Sequence, residues 1–547
     1  MKKSNTPLIP RSRLFRMVSV QTALGLLVLL SPPGCRKSPA PYNFILVTLD
    51  TQRADHLSCY NPTGASTPHL DALAEAGVLF ENCFSIIPIT LPAHAAMFYS
   101  LPPHELHVYN NGDKVVPLPR RPSFVEIFQR HGFATAAFVS LGVLQSKFGL
   151  DGGFDDYIGD FPKDGRMFRT AGEVNAEVFP WLEKHKTEKF FLWVHYSDPH
   201  HPYYPPDLPP ELTVYLNNRS LGEFHLNKSV NRIPMTLAPG DNELRLETYN
   251  PHVPKPDGNK ANFMQFALTD TESENDFTFV STRGWRRHPE TGYYLAKKIS
   301  RLLVENPGGP KAVELTFQGN LIVPRPQMRR LYRQEVEYMD AQFGELQRRL
   351  EELGLRGRTR MLVVGDHGEG LGEYLNYNGG RDFGHINFLY DIYTHVPLIL
   401  FSPDFEETGV RIQTPVDLLD IAPTIMSLSG MSPLRHFQGR SALRKNMSPR
   451  RIFQATYRTQ ADRDTFAFLE PPLHLIFTPQ EQRVQLFDLA RDPQGKIDVM
   501  PERSEDPAIR ALRLDLERAA RDILKNKPES KVDDKTREML KALGYIK

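Results

Sequence analysis

Two short segments hold residue types that can do chemistry. Ile89-Thr90-Leu91-Pro92-Ala93-His94 offers a hydroxyl on a turn, with an imidazole one helical turn further on. Far downstream, Val363-Val364-Gly365-Asp366-His367-Gly368-Glu369 ends an apolar run in an acid and an imidazole. An aliphatic alcohol is barely ionised at neutral pH, so it attacks well only beside a base or a metal ion. A hydroxyl facing an Asp-His pair at a strand end therefore suggests a metal-activated nucleophile. Whether it attacks phosphorus or sulfur depends on the rest of the chain.

Such a pair needs a scaffold, and the sequence reads as an α/β one. Residues 43–49 form a nearly continuous apolar run ending at Asp50-Thr51, which reads as a strand buried on both faces. Asp50 then sits at a carboxyl end, where open α/β sheets keep ligands. Further strands are expected at 135–140, 190–195, 360–365 and 396–401, with helices at 122–131 and 328–353 between them. A helix is also expected at 67–77, with Thr67 as its N-cap, Pro68 at the first position and Gly77 as its stop. This alternation predicts a doubly wound mixed sheet flanked by helices. Residues 208–322 break it. There 212–216, 220–226 and 242–249 alternate polar and apolar side chains between Asn-Asn, Pro-Gly and Asn-Pro turns, the pattern of an inserted antiparallel β-rich module. The expected organisation is a leader at 1–35, a catalytic domain in two parts at 41–207 and 323–440 around the insertion, and a smaller C-terminal α+β part at 441–547 with a charged helical tail at 506–526.

The leader carries its own message. Lys2, Lys3, Arg11, Arg13 and Arg16 precede the apolar run 17–30 and then Ser31-Pro32-Pro33-Gly34-Cys35. This is the layout of a secretory signal, with an apolar stretch short for a membrane span. Gly34-Cys35 resembles a bacterial lipoprotein processing site, so Cys35 is the candidate lipidated first residue of an exported protein held at the periplasm or cell envelope. An ordinary cleaved signal peptide and an uncleaved anchor are the alternatives. If Cys35 is consumed by processing, Cys59 and Cys83 remain, read as two buried thiols with pairing as the alternative. Composition excludes other classes: 66 Lys and Arg against 65 Asp and Glu leave a formal charge of +1, which argues against nucleic acid as partner.

The segments 43–50, 53–60, Thr67-Pro68-His69-Leu70-Asp71, Thr90 to His94, Asp366-His367-Gly368 and 486–493 occur in an order similar to that of the sulfatase branch of the alkaline phosphatase superfamily. The resemblance spans nearly the whole chain except the leader and the insertion. It implies that Asp50, Thr90, Asp366 and His367 converge on one divalent cation, with Thr90 also the nucleophile. Two carboxylates, an imidazole and a hydroxyl are hard or borderline donors, compatible with Zn, Mn, Ca or Mg. Where sulfatases carry a second acidic residue after the first aspartate, this chain has Thr51, and the four-donor set resembles the single-metal sites of threonine-dependent phosphotransferases. Zn or Mn is accordingly favoured over Ca or Mg.

The resemblance also brings in histidines. Tyr196-Ser197-Asp198-Pro199-His200-His201-Pro202 is similar to a family loop that contacts the anion, which makes His200 the candidate, with His195 and His201 as alternatives. His385 stands where sulfatases present a basic residue to the ester oxygen, and His94 where they carry the arginine of a maturation motif. His94 is expected to orient Thr90 or to bind the anion; a protonated imidazole can stabilise charge or protonate a leaving alcohol.

Thr90 departs from the family pattern. Family sulfatases mature a cysteine or serine to formylglycine, a conversion that threonine does not undergo. An ester on Thr90 must be cleared by a second displacement, as in the superfamily's phosphatases and phosphodiesterases. The sequence thus reads as an exported, metal-dependent hydrolase of an anionic ester, phosphate, phosphonate or sulfate, carried on a glycan or lipid. Two alternatives stand beside it: a phosphoryl-group transferase of the envelope, and a non-catalytic surface protein that binds glycans through the insertion.

Overall fold

A computed structural model describes residues 42–527 apart from 117, 119, 160, 162–166, 202, 204, 206–210, 227–230, 249–260, 288–293, 322–324, 376–378, 445–447 and 458–462, together with 536, 537 and 540. The expected signal segment and Cys35 lie outside the described residues.

The chain's most apolar stretch becomes the centre of its sheet. Asn43–Leu49 (β1) is buried at every position and pairs in parallel with two neighbours. The other strands of that sheet are Val78–Phe80 (β2), Ala134–Phe138 (β3), Asp156–Ile158 (β4), Phe190–Tyr196 (β5), Thr359–Gly365 (β6), Leu398–Phe401 (β7) and Val410–Ile412 (β8), in the order β8-β2-β7-β6-β1-β5-β3-β4. β7 runs antiparallel to both neighbours, so the sheet is mixed. The strand expected over 396–401 is broken at Pro397: His395–Val396 pairs elsewhere, with Cys83–Phe84, and only Leu398–Phe401 enters the main sheet. A proline has no N–H to give to a ladder, so the run cannot remain one strand.

Period-two alternation sends β1 side chains to two separate layers. Phe44 and Leu46 pack with helices Thr90–Tyr99 (α2), Phe124–Arg130 (α3) and Ile421–Leu428 (α6). Ile45, Val47 and Leu49 pack with Pro68–Glu75 (α1), Ala171–His185 (α4) and Arg325–Glu352 (α5). In α5 the apolar residues Tyr332, Val336, Met339, Phe343, Leu346 and Leu350 recur every three or four positions, and they are the stripe that is buried. α3 and α4 begin with complete capping boxes, Ser123 with Glu126 and Thr170 with Glu173.

α1 is capped differently from the expectation. Thr67 makes no side-chain cap; its Oγ1 is engaged with Ser58 and Asp71 instead. The cap comes from α5, where Asp340 accepts the His69 and Leu70 N–H groups at 3.1 and 2.8 Å. Gly77 does end the helix: a Cβ there would sit 2.2 Å from the Leu400 carbonyl oxygen, so only glycine lets the chain pass β7.

The insertion forms a second eight-stranded sheet from Leu212–Leu216 to Lys311–Leu321, with its own core of residues such as Leu212, Val214, Leu244, Leu246, Leu315 and Phe317. Asn217 and Asn218 both take positive φ, 49° and 66°, at its first hairpin, the conformation that two-residue hairpin turns demand. A four-stranded antiparallel sheet, Ile452–Thr456 to Arg483–Asp488, closes the chain together with helix Pro507–Asn526 (α7). Cys59 and Cys83 are both free thiols; Cys83 is buried and Cys59 half-buried.

Candidate active site

The expected residues come from three neighbouring carboxyl ends and one helix start. Asp50 follows β1, Asp366 and His367 follow β6, His200 follows β5, and Thr90 is the first residue of α2. β5, β1 and β6 are hydrogen-bonded neighbours, which brings these ends together across more than 300 residues of chain. Asp50, Thr90, His94, His195, Asp366 and His367 are fully buried, and His200 and His385 are 3% and 5% exposed.

Ligand atoms of Asp50, Asp366 and His367 lie within 4.8 Å of one another. Both carboxylate oxygens of Asp50 and Oδ2 of Asp366 are buried and accept no hydrogen bond. Burying bare anionic oxygens is costly unless a cation balances them. Burial, and then the charge of Asp50, pushes the Asp366 carboxyl well above its ordinary range. The His367 ring is set for the same ligand. Its Nδ1–H donates to the Gly368 carbonyl at 3.1 Å, which turns the Nε2 lone pair toward Thr90 Oγ1 at 3.2 Å and Asp366 Oδ2 at 3.4 Å. Burial and the neighbouring His385 pull its pKa down to about 3, so the imidazole is neutral, as a metal ligand must be. The donor set and its orphaned oxygens thus fit one divalent cation.

Backbone geometry holds these ligands. Thr51 adopts φ 55°, uncommon for a β-branched residue, and this aims its N–H at Asp366 Oδ1, 3.1 Å away. Its carbonyl accepts the Tyr332 hydroxyl from α5, and its own hydroxyl donates to the Asp50 carbonyl. Thr51 therefore serves the site through its backbone. After the ligand pair, a Cβ on Gly368 would lie 2.0 Å from the Ile392 carbonyl oxygen, so this tight passage also requires glycine.

The histidines separate into three positions. His195 Nε2 lies 3.3 Å from Asp50 Oδ2, while its Nδ1 accepts from Ser140, whose hydroxyl contacts Ser197. His195 thus backs a ligand rather than facing the anion. His200 and His385 pack ring to ring at 5.2 Å, and His385 in turn lies 4.4 Å from the His367 ring. His201 instead packs edge-on against Tyr203. His94 has both ring nitrogens committed within the protein: Nδ1 lies 2.8 Å from the Thr90 carbonyl oxygen and Nε2 3.0 Å from Thr48 Oγ1.

Sequence reasoning left Glu369 without a role, although it ends the same motif as Asp366 and His367. It is fully buried, its carboxylate lies 3.2 Å from His385 Nδ1, and burial pushes its pKa well up. A buried acid two residues past a ligand histidine was the available signal. Arg53 binds the Glu369 carbonyl and the Glu373 carboxylate, and it lines a cleft of about 1460 Å³ that also meets Tyr374, Arg381 and His395.

A family model described as Sulfatase matches residues 42–431, and the chain belongs to the sulfatase family, a family of ester hydrolases. Among relatives, arylsulfatase K of Homo sapiens is 21% identical, the match covering 87% of this chain and 82% of that protein. N-acetylglucosamine-6-O-sulfatase of Bacteroides thetaiotaomicron is 23% identical over 73% of this chain and 70% of its own. Two solved structures share the fold. One, crystallised with its substrate D-glucosamine-2-N,6-O-disulfate, superposes with TM-score 0.59 at 16% identity, covering 90% of this chain and all of the other. The other, phosphonate monoester hydrolase of Agrobacterium radiobacter, gives TM-score 0.56 at 16% identity, covering 89% of this chain and 96% of its own.

Proposed function

We propose that this protein is an exported, metal-dependent hydrolase of anionic esters that works through Thr90 as nucleophile, with phosphoryl or phosphonyl esters preferred and sulfate esters also within its chemistry. The observation that carries the reading is the closed constellation itself: the Thr90 hydroxyl 3.2 Å from a neutral His367, beside two buried carboxylates with uncompensated oxygens. The phosphorus preference follows from the residue. A threonine ester has no second hydroxyl on the same carbon that could collapse to a carbonyl and expel the bound group, so release needs attack at the central atom, the course of phosphatase chemistry.

Asp50, Asp366 and His367 would hold a divalent cation, Zn or Mn by preference, which when bound lowers the pKa of the Thr90 hydroxyl and neutralises the ester's negative charge. Thr90 Oγ1 forms a bond to the central atom as the bond to the alcohol oxygen breaks. His385, held by Glu369, passes the proton lost by Thr90 Oγ1 on to the leaving oxygen, and His200 beside it faces the transferred group. Water then attacks the same central atom, Thr90 Oγ1 departs and regains a proton, and the enzyme is restored. Relatives named for sulfated sugars and a structural neighbour named for phosphonate monoesters support an anionic ester as substrate, which we propose is carried on a glycan or lipid.

A panel of aryl sulfate, phosphate monoester, phosphodiester and phosphonate monoester substrates, run with metal-loaded enzyme and with Thr90→Ala, tests this directly. The expected result is phosphorus-ester turnover lost in the variant. Sulfate turnover that needs Thr90 while every phosphorus ester stays inert would overturn the preference. Turnover unaffected by Thr90→Ala would overturn the nucleophile.

A further inference from the structure

Both ring nitrogens of His94 are engaged within the protein, and its partners form a chain. Trp193, fully buried on β5, donates its indole N–H to Thr48 Oγ1 at 2.9 Å. Thr48, fully buried near the end of β1, lies 3.0 Å from His94 Nε2, and His94 Nδ1 lies 2.8 Å from the carbonyl oxygen of Thr90. With the His94 ring neutral, the two ends fix every proton. An indole nitrogen can only donate and a carbonyl oxygen can only accept. So His94 Nδ1–H donates to Thr90, and a neutral ring offers Nε2 as acceptor for the Thr48 hydroxyl proton, while the Thr48 oxygen takes the indole proton. All four groups are satisfied without water and without net charge, so the arrangement is a high-stakes one in which the loss of a member strands the others.

We propose that Trp193, Thr48 and His94 form a neutral hydrogen-bonded relay that positions Thr90, and that Trp193 and Thr48 are positioning residues of the reaction. The inference rests on the reading of Thr90 as nucleophile. The relay ties β5, β1 and the first turn of α2 together at the point where Thr90 must face Asp50 and His367. Thr48 stands two residues before Asp50 on the same strand, so one element carries both a ligand and the relay. A nucleophile displaced by about 1 Å can lose on the order of 100-fold in rate, so a contact that fixes the first turn of α2 bears directly on Thr90. The relay also explains a histidine at this position without assigning it to the anion.

The test compares Thr48→Val, which keeps shape and removes the hydroxyl, with Thr48→Ser, which restores it, and with His94→Asn, whose amide can still donate to the Thr90 carbonyl. In the full-length, metal-loaded protein, Thr48→Val is expected to lower kcat about tenfold or more with KM within about twofold of wild type, and Thr48→Ser to recover most of the loss. His94→Asn should retain more activity than His94→Ala. The inhibition constant for inorganic phosphate should stay unchanged throughout. Hydrogen exchange read by mass spectrometry supplies a measure independent of turnover: amides at the start of α2 should exchange faster in Thr48→Val than in wild type or Thr48→Ser. Wild-type kcat and exchange in Thr48→Val would overturn the proposal, as would weaker phosphate inhibition tracking KM in His94→Asn, which would place His94 on the anion. If the wild-type protein cleaves no ester of the panel, the hydrolase reading fails, and the exchange of α2 alone decides whether the relay holds Thr90.

Discussion

Asp50 and Asp366 are two carboxylates in one buried centre, and their energetics depend on what lies between them. Without a cation their charges repel and their oxygens go unsolvated. Asp366→Asn removes that repulsion, so its effect on stability should change sign with metal. In chelator-treated protein the variant should unfold on the order of 2 °C above wild type, and in protein loaded with Zn or Mn it should unfold below it. Differential scanning calorimetry in both states reads this; a lower Tm for the variant in both would show that the carboxylates are held by protein contacts alone. Thr90→Ala should cost about a thousandfold or more in kcat/KM with metal content unchanged, because it removes the attacking oxygen and none of the three other ligands. Metal quantification beside the rate measurement separates that loss from simple emptying of the site. Thr51 teaches a residue-scale lesson: its importance lies in a backbone N–H delivered by φ 55°, which a side-chain comparison with the family's acidic residue does not disclose.

At the scale of elements, distant partners finish what local sequence begins. α3 and α4 carry their own capping boxes, legible in the residues that start them. α1 borrows its cap from α5, and Asp340→Ala should therefore destabilise the protein by about 1 kcal/mol while Thr67→Ala, measured in the same denaturant titration, does so by less. Burial raises the Asp340 pKa to about 6, against the opposing pull of the two N–H groups. The folded state then binds a proton more tightly than the unfolded chain, so this carboxylate's contribution weakens as pH rises from about 4 through 6. Asp340→Asn keeps an acceptor and cannot ionise, and its stability relative to wild type should rise across that window. A constant difference from pH 4 to 7 would contradict the assignment. The helix and strand positions were readable from hydrophobic period; the break of the 396–401 run was readable too, since Pro397 lies inside it.

At the scale of the molecule, the insertion and the sulfatase part each keep a hydrophobic core of their own, the former from residues such as Val214, Leu246 and Phe317. Among the described residues no helix is long and apolar enough to cross a membrane. From the Gly34-Cys35 pair that resembles a lipoprotein processing site, we propose that attachment to the envelope resides in the leader, through Cys35. In a bacterial host, Cys35→Ser should move the protein from the detergent phase to the aqueous phase on Triton X-114 partitioning, with ester turnover unchanged. Equal partitioning of the two forms would remove the lipid anchor from the account.

By itself the sequence determined the α/β class and the positions of most strands and helices, because alternation, caps and polar residues at the ends of apolar runs are local signals, while its resemblance to the sulfatase branch made Asp50, Thr90, Asp366 and His367 the candidates for one site. It also determined the departure at Thr90, and with it the question of phosphorus against sulfur. Only the tertiary structure decided how the histidines divide. His94, His195, His200 and His385 look alike in a string of letters, yet hydrogen bonds to Thr90 and Thr48 hold the first, a hydrogen bond with Ser140 places the second beside the Asp50 carboxylate, and the last two meet ring to ring. The physical reason is that a histidine's role depends on what each ring nitrogen meets, and those partners arrive from other strands and helices.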